Sequence, residues 1–410
     1  MILTAKQEEG LKIAVERYKA REPYTIISGY AGSGKSTLIK FIISALNLPR
    51  DRVAYIAFTG KAANVLKQKG CPNATTAHKL LYYARKTPTG GFVFQPKSTL
   101  DIPYKLIVVD EVSMLPKDMW NLLLTHHIYI LAMGDPGQLP PINKDQINDV
   151  LDHPHVFLDE VMRQAQESAI IRLSMHIREG KDFRLFPTVS GEVRIIPHAQ
   201  ELYSDELDYH SCLLGAEQII CSTNKQRTSL NNMVRRLNGR GPTPEVGDKV
   251  IGLTNHWDFM STQGTALTNG AIGNLCDFHL ITQEYPKRLN IAPTEIMVSD
   301  ILMDDEDEFV EVPIDYKQLL TGVPTLTPQA EYALSRYLKN YKSITAAPPL
   351  QPYDFAYGYA ITCWKAQGSE WNTILGFDAA WVKNKNPEEY TQYLYTLVTR
   401  AAETVILVGD

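Results

Sequence analysis

Short apolar runs alternate with longer amphipathic stretches over the first part of the chain. Four of these runs are continuous and rich in β-branched residues, at 24–28, 53–58, 106–109 and 128–133. Continuous apolar strands with helices between them are typical of a parallel sheet that is covered on both faces. The pattern therefore predicts an α/β core over residues 1–155.

A second set of strand-like runs comes later, at residues 218–222, 373–377 and 404–408. Two stretches dense in glycine and proline, 239–247 and 346–352, follow the first of these runs, and such stretches interrupt regular secondary structure. We therefore predict a second α/β core over residues 156–245 and 350–410. A β-rich insertion over residues 246–349 would split it.

Three local features refine this outline. Residues 85–99 carry Phe92 and Phe94, which would share one face of a small projecting ribbon, or pack into the first core. Thr327 followed by proline predicts the start of a helix, with a capping hydroxyl and proline in the first turn. The acidic run 304–308 predicts a solvated hairpin or loop.

Composition narrows the protein class. The chain has 410 residues, 44% apolar and 21% charged, as in ordinary globular proteins. Its net charge of −5 argues against a basic nucleic-acid coat but allows a local basic groove. Without a long apolar run or a secretory leader pattern, we expect no membrane contact. Five scattered cysteines with no CxxC pair argue against zinc and disulfides and favour the cytoplasm.

The segment GYAGSGKS, residues 29–36, matches the phosphate-binding pattern GxxxxGK[ST]. It follows a predicted strand and precedes an apolar helix, which is the context that the pattern requires. Glycines let backbone N–H groups surround phosphates, and the helix N-terminus adds positive potential. Lys35 would reach the β- and γ-phosphates, and the Ser36 hydroxyl would bind Mg²⁺.

Two further segments end predicted strands with polar residues. Asp110 and Glu111 follow the strand LIVV, where Asp110 would hold Mg²⁺ through water and Glu111 would act as general base. GDPGQLPP, residues 134–141, follows the next strand, and Gln138 would sense the terminal phosphate. Taken alone, the acidic pair is also typical of a solvated loop, and the second segment of a proline-rich turn.

Other segments complete an ordered series of motifs. They are FTGKAA (58–63), TTAHKLL (75–81), LDEVMRQ (158–164), STNKQRTSLN (222–231), LTNGAIG (267–273), AITCWKAQGSEW (360–371) and YTLVTRA (395–401). In content and order the series resembles superfamily 1 helicases of the 5′-to-3′ branch, the RecD-like and Dda-like group, and most closely small Dda-type phage helicases. The QGSEW and TRA segments distinguish this group from other P-loop NTPases.

The resemblance implies an α/β fold with two RecA-like P-loop NTPase cores, each with a parallel sheet. It also implies a β-hairpin pin inserted at about residues 83–104 and an SH3-like β domain in the later insertion. Two positions depart from the family pattern, since Trp364 stands where histidine is usual and Phe58 where proline is common.

By resemblance, ATP and Mg²⁺ would lie between the two cores. Arg163 and Arg400 would come from the second core and reach the γ-phosphate when the cleft closes. The implied catalytic residues are Lys35, Asp110, Glu111, Gln138, Arg163 and Arg400, and the implied metal ligands are Ser36 and Asp110. The implied nucleotide-binding residues are Gln7 (for adenine), Gly29, Gly32, Ser33, Gly34, Lys35, Ser36, Thr37, Gly368 and Glu370.

Single-stranded DNA would cross both cores on the face opposite the phosphate loop. Hydroxyls and lysines hold backbone phosphates, whereas aromatic rings stack on bases with little regard to sequence. The implied DNA contacts are Phe58, Thr59, Lys61, Thr76, His78, Phe92, Phe94, Thr362, Trp364 and Lys365. His78 as a structural residue and the lysines as solvated side chains are the competing interpretations.

The resemblance therefore implies an ATP-dependent 5′-to-3′ DNA helicase acting in replication, recombination or repair. It would work as a monomer on single-stranded and forked duplex DNA, in the host cytoplasm if phage-encoded. Single-stranded DNA-binding protein and replisome proteins are its candidate partners. Two alternatives stay open: an RNA-directed or protein-displacing translocase, and a nucleotide-gated single-stranded DNA-binding module that does not unwind.

Overall fold

The computed structural model describes residues 3–57, 63, 66–67, 70–71, 73–86, 92–140, 148–162, 165–254, 256–303, 307–341 and 347–409. The chain divides into two compact units. The first comprises Met1–Leu81, Lys97–Arg227 and Ile361–Asp410, and the second Tyr82–Pro96 and Thr228–Ala360. Within the described ranges, no helix is both long and apolar enough to span a membrane.

The helices and strands have the following bounds. The helices are α1 (Ala5–Lys19), α2 (Lys35–Ala45), α3 (Ala77–Leu81), α4 (Lys117–Thr125), α5 (Ala169–Arg178), α6 (Ala199–Ser204), α7 (Glu206–Gly215), α8 (Asn224–Leu237), α9 (Tyr316–Thr321), α10 (Pro328–Lys339), α11 (Cys363–Ala366), α12 (Ala380–Lys383) and α13 (Pro387–Val398). The strands are β1 (Tyr24–Gly29), β2 (Val53–Ala57), β3 (Ala74–Thr76), β4 (Tyr82–Lys86), β5 (Phe92–Pro96), β6 (Leu106–Val109), β7 (Tyr129–Gly134), β8 (Val156–Leu158), β9 (Val193–Ile196), β10 (Gln218–Cys221), β11 (Lys249–Gly252), β12 (His256–Met260), β13 (Ala266–Leu267), β14 (Ile272–Gln283), β15 (Thr294–Met303), β16 (Glu308–Asp315), β17 (Phe355–Tyr357), β18 (Ala360–Thr362), β19 (Trp371–Phe377) and β20 (Ala401–Val408).

The first sheet has the strand order β3-β2-β6-β7-β1-β8, and its strands pair in parallel. All four apolar runs predicted as strands lie in it. Its core buries the apolar sides of α1 and α2 against the strands, as with Ala14, Leu38 and Leu131. Strand β8 is the last strand of this sheet and pairs in parallel with β1. The first sheet therefore extends beyond residue 155, where the boundary of the first core was predicted.

The second sheet has the order β18-β10-β19-β20-β9, and β10, β19, β20 and β9 pair in parallel. The three later runs predicted as strands are β10, β19 and β20. Two parallel sheets with helices between their strands confirm the expected pair of RecA-like α/β cores. Both belong to the first unit.

The second unit is built on an antiparallel sheet, β16-β15-β14-β11-β17, around the buried side chains of Val250, Met297 and Phe309. The predicted helix start is confirmed, because the Thr327 hydroxyl accepts a hydrogen bond from the Ala330 N–H at the start of α10. The acidic run differs from expectation at Asp307. That carboxylate is 4% exposed and accepts hydrogen bonds from neighbouring N–H and hydroxyl groups.

The predicted ribbon is a hairpin of β4 and β5 that pairs Tyr82 with Pro96 and Lys86 with Phe92. The hairpin belongs to the second unit, where β5 lies in contact with β12. The side chains of Phe92 and Phe94 lie outside the described part of the chain, so their shared face stays a prediction.

Candidate nucleotide cleft and nucleic-acid interface

The phosphate-binding loop joins β1 to α2 as the sequence predicts. Strand β1 ends at Gly29, helix α2 begins at Lys35, and Gly34 caps the helix with φ +81°. A Cβ at Gly34 would lie 2.4 Å from the Gln7 Nε2, so both the backbone conformation and the space require glycine. The backbone N–H groups of this loop and the N-terminus of α2 form a cradle that suits phosphate.

Lys35 lies folded against this loop. Its Nζ donates to the carbonyl oxygens of Gly29 at 2.6 Å and Tyr30 at 3.0 Å, and lies 3.9 Å from Asp135 Oδ2. The Lys35 ammonium is thus held where a phosphate anion would enter. Asp135, which the sequence reasoning passed over, is its acidic neighbour and is only 7% exposed.

Gln7 lies against the loop backbone. Its Nε2 donates to the Ser33 carbonyl oxygen at 3.1 Å, and its Oε1 accepts from the Thr4 N–H at 3.0 Å as part of a capping box at the start of α1. The side chain is 1% exposed, and both ends of its amide are bonded. Gln7 therefore joins α1 to the phosphate loop, and its adenine contact stays a prediction.

Asp110 and Glu111 end strand β6 at the same cleft. Glu111 has φ +48°, an uncommon left-handed conformation for a residue other than glycine, and its N–H donates to Asp110 Oδ1 at 2.9 Å. Glu111 Oε2 is buried and has no hydrogen-bond partner among the described residues. A buried carboxylate oxygen with spare accepting capacity suits a general base that orients a water molecule.

A cavity of about 1090 Å³ lies beside these groups. Ser36, Asp110 and Glu111 of the first core line it together with Gly368, Ser369, Glu370 and Arg400 of the second. A hydroxyl and a carboxylate are the oxygen ligands that Mg²⁺ prefers, and the loop N–H groups suit phosphates. The residues present therefore fit a magnesium–nucleotide complex.

Helix α13 and the residues after it contact three loops of the first core. These are the phosphate loop, the GDPGQLPP loop and the loop that begins at Glu111. The Tyr395 hydroxyl accepts from the Ala31 N–H and donates to Asp135 Oδ2, both at 2.7 Å. The Thr396 hydroxyl accepts from the Leu139 N–H at 2.8 Å, beside Gln138. One helix end thus contacts the phosphate loop and the GDPGQLPP loop together.

Arg400 follows that helix and is 6% exposed. Its guanidinium donates to the carbonyl oxygens of Thr396 at 3.1 Å and Ser369 at 3.2 Å, and its Nη1 lies 3.7 Å from Glu111 Oε1. The arginine expected near the γ-phosphate therefore lies beside the expected base.

The sequence reasoning missed three residues whose side chains join the two cores: Asp135, Tyr395 and Thr396. The available signal was their place inside two motifs already singled out, with Tyr395 and Thr396 one helical turn before Arg400. Gln367, whose Nε2 donates to the Leu139 carbonyl oxygen, lies in a third motif and was also passed over.

For several predicted site residues the structure shows no side-chain contact at the cleft. Gln138 is half-buried, and its backbone N–H donates to the Asp135 carbonyl oxygen at 3.3 Å. Thr37 lies in the first turn of α2. Phe58, Thr59, Lys61 and Arg163 lie outside the described residues.

The residues expected to contact DNA lie after strands of both cores. Thr76 ends β3, and His78 follows in α3, where burial lowers the pKa of His78 to about 4 and keeps the ring neutral at physiological pH. Thr362 ends β18, and the Trp364 ring lies 6.0 Å from the Tyr393 ring. Burial, and after it the Arg227 charge, lowers the pKa of Lys365 to about 8.

Comparison with known proteins supports this architecture. The profile of the AAA domain family matches residues 3–195, and that of the UvrD-like helicase C-terminal domain matches residues 357–408. The ATP-dependent RecD2 DNA helicase of Deinococcus radiodurans is 26% identical over 395 residues, covering 94% of this chain and 47% of the relative. The ATP-dependent DNA helicase dda of Enterobacteria phage T4 is 27% identical over 250 residues, 57% of each chain.

This chain spans about half the length of these curated relatives. A solved structure of two coordinating Pif1 helicases at forked DNA aligns with 99% of this chain and 92% of its own, at 17% identity and a TM-score of 0.48. The two matching profiles fall on the two ends of the chain that build the parallel-sheet cores. By its motifs and its relatives, the chain resembles superfamily 1B, the RecD-like and Dda-like branch of helicases.

Proposed function

We propose that the chain is an ATP-dependent DNA helicase that moves 5′ to 3′ on single-stranded DNA and separates duplex at a fork. The observation that carries the proposal is the bracket formed by Tyr395, Thr396 and Arg400. These three residues of the second core contact the phosphate loop, the GDPGQLPP loop and the Glu111 loop of the first core. A change at the nucleotide is thereby linked to the relative position of the cores.

Hydrolysis would use the residues that line the cleft. Lys35 leaves its backbone partners to bind the β- and γ-phosphates, and Glu111 accepts a proton from the attacking water. Arg400 stabilises the negative charge that develops on the transferred phosphoryl group, together with Arg163 in the family pattern. Mg²⁺, held by Ser36 and Asp110, supplies charge neutralisation when bound.

Translocation would follow from cleft closure while DNA is held on both cores. Thr76 and His78 would contact DNA on the first core, and Thr362, Trp364 and Lys365 on the second. Hydroxyls and ammonium groups grip the backbone, and Trp364 would stack on a base, which is worth about 1–3 kcal/mol. Alternate tightening of the two grips then moves the strand.

Forked duplexes with a single 5′ or 3′ tail test the proposal. The protein with ATP and Mg²⁺ should unwind the 5′-tailed fork and leave the 3′-tailed fork paired, and Glu111→Gln should unwind neither. Unwinding from 3′ tails alone would overturn the polarity. ATP hydrolysis stimulated by oligo-U and not by oligo-dT would favour an RNA-directed translocase, and DNA binding without unwinding would favour a nucleotide-gated binding module.

The β4–β5 hairpin is proposed as the pin that separates the strands. Replacing Phe92 and Phe94 with alanine should leave DNA-stimulated ATPase within about threefold of wild type, because the change falls outside the hydrolytic cleft. Strand separation should fall much more. A lower melting temperature with a parallel loss of both activities would instead place the rings in a packed core, where each truncation costs about 3–5 kcal/mol.

A further inference from the structure

The second core holds the backbone of Leu139 at both of its polar groups. The Leu139 N–H donates to the Thr396 hydroxyl at 2.8 Å, and the Leu139 carbonyl oxygen accepts from Gln367 Nε2. All three residues are buried. Leu139 directly follows Gln138, the residue predicted to sense the terminal phosphate of the nucleotide. The position of that sensor is therefore tied to the second core.

Gln367 lies between a helix and a loop that have different predicted roles. It follows α11, which carries the predicted DNA contacts Trp364 and Lys365. It precedes residues 368–370, which line the nucleotide cavity. Gly368 has φ +74°, a conformation that favours glycine, so the chain turns directly after Gln367. One short segment thus leads from the predicted DNA contacts to the nucleotide cleft, and Gln367 joins that segment to the first core.

Burial makes this junction stiff. Gln367 and Leu139 are 228 residues apart in the chain, and their hydrogen bond is buried. Breaking it would leave an amide donor and a carbonyl oxygen without water to replace the lost partner, which is costly in a protein interior. A shift of α11 is therefore transmitted to Leu139 and to the loop that carries Gln138.

We propose that Gln367 is a positioning residue through which DNA bound at α11 stimulates ATP hydrolysis. DNA on Trp364 and Lys365 fixes the position of α11, and the Gln367 amide carries that position to Leu139. Gln138 then meets the terminal phosphate in the geometry that hydrolysis requires. Gln367 acts through Leu139 and not on the reacting atoms. The inference rests on the proposed helicase function and assigns the regulation of its nucleotide site by DNA.

Gln367→Met tests the proposal, because methionine keeps the length of the side chain and removes the amide donor. We expect kcat with saturating oligo-dT to fall about tenfold, as for the loss of one buried hydrogen bond. Hydrolysis without DNA, the KM for ATP and the Kd for oligo-dT should each stay within about twofold, because the change lies outside both predicted binding sites. The quantity to compare is the ratio of hydrolysis with DNA to hydrolysis without it.

Gln367→Glu gives a readout that a purely structural role would not change. The carboxylate cannot donate to the Leu139 carbonyl oxygen, whereas the protonated acid donates in place of the amide. Burial raises the pKa of a glutamate side chain, so protonation should begin near neutral pH. As the pH falls from about 8 to about 6, the stimulation ratio of this variant should recover, and that of wild type should stay constant.

Gln218→Met is the matched control. Gln218 is a buried glutamine in β10, and its Nε2 donates to the Ile219 carbonyl oxygen of the same strand. Its replacement removes a buried amide without touching the first core, so the stimulation ratio should match that of wild type. Melting temperatures of all variants report whether each is folded at the assay temperature.

Three outcomes would overturn the inference. The first is an unchanged stimulation ratio in Gln367→Met. The second is an equal loss of hydrolysis with and without DNA, which indicates a structural side chain. The third is a rise in the Kd for oligo-dT that accounts for the lower rate, which places Gln367 in DNA binding. A wild-type protein that DNA stimulates but that unwinds no fork would overturn the proposed unwinding alone, and one that no nucleic acid stimulates would overturn both.

Discussion

Two buried arginines of the second core have opposite surroundings. Arg400 is 6% exposed, donates to two backbone carbonyl oxygens and lies 3.7 Å from the Glu111 carboxylate. Arg227 is 8% exposed and forms no ion pair within the described chain. The two arginines are thus almost equally buried but differ in their ion pairs. Arg400 therefore has a counter-charge among the described residues, whereas Arg227 forms no ion pair with them.

Two lysines of the candidate sites also differ in their surroundings. Lys35 has backbone carbonyl partners and Asp135 at 3.9 Å. Lys365 instead has its pKa lowered to about 8 by burial and by Arg227. The nucleotide cleft is thus pre-organised by internal hydrogen bonds that ATP binding must rearrange.

Arg400→Ala tests the compensated side and should have the largest effect. Loss of an arginine that stabilises the transition state lowers DNA-stimulated turnover by about 10³-fold. ATP binding, measured at equilibrium with a fluorescent analogue, should change much less. If kcat is retained and KM rises instead, Arg400 acts in ground-state binding and the contrast with Arg227 is smaller than proposed.

Glu111→Gln should have the next largest effect. The amide keeps the size of the side chain but cannot accept a proton, so turnover should fall by about 10²-fold or more while ATP still binds. Single-turnover hydrolysis with DNA present measures the step directly. Normal turnover in this variant would remove Glu111 from the mechanism, although its contact with Arg400 would stand.

Tyr395→Phe tests the bracket at the phosphate loop, with an effect of several-fold. The change leaves the Ala31 N–H without its acceptor until a phosphate supplies one, so ATP should bind about 3- to 10-fold more tightly, by the net worth of one hydrogen bond. Tyr393→Phe is the matched control on the same helix, because that hydroxyl donates to the Phe377 carbonyl oxygen of the second core. Weaker ATP binding in Tyr395→Phe would contradict the expectation.

The pH dependence of DNA binding should show the smallest effect. Because the pKa of Lys365 is lowered to about 8, the ammonium is present below pH 8 and is lost as the pH rises above it. Affinity for oligo-dT should therefore decline by a few-fold between pH 7 and pH 9.5, and bound phosphate shifts the decline upward. In Lys365→Arg the charge persists, so the decline should disappear. An equal decline in both proteins would assign it to another group.

Local patterns predicted much of the fold. Continuous apolar runs identified strands of both parallel sheets, and the Thr327–Pro328 pair identified the start of α10, because periodicity and capping depend on neighbouring residues. The phosphate loop and the Asp110–Glu111 pair were found for the same reason, since each is a contiguous segment with a fixed relation to a strand. The core boundary was less accurate, because the pairing of β8 with β1 is a long-range contact.

The sequence by itself thus determined the two cores, the phosphate loop and the candidate base. Tertiary structure decided which side chains meet. Ala31 and Tyr395 are 364 residues apart, and Asp135 and Tyr395 are 260 apart, so no local spacing could pair them. Likewise, nothing in the sequence around Arg227 distinguishes it from the exposed Lys225 on the same helix. Only packing buries Arg227 and leaves Lys225 exposed on the same helix.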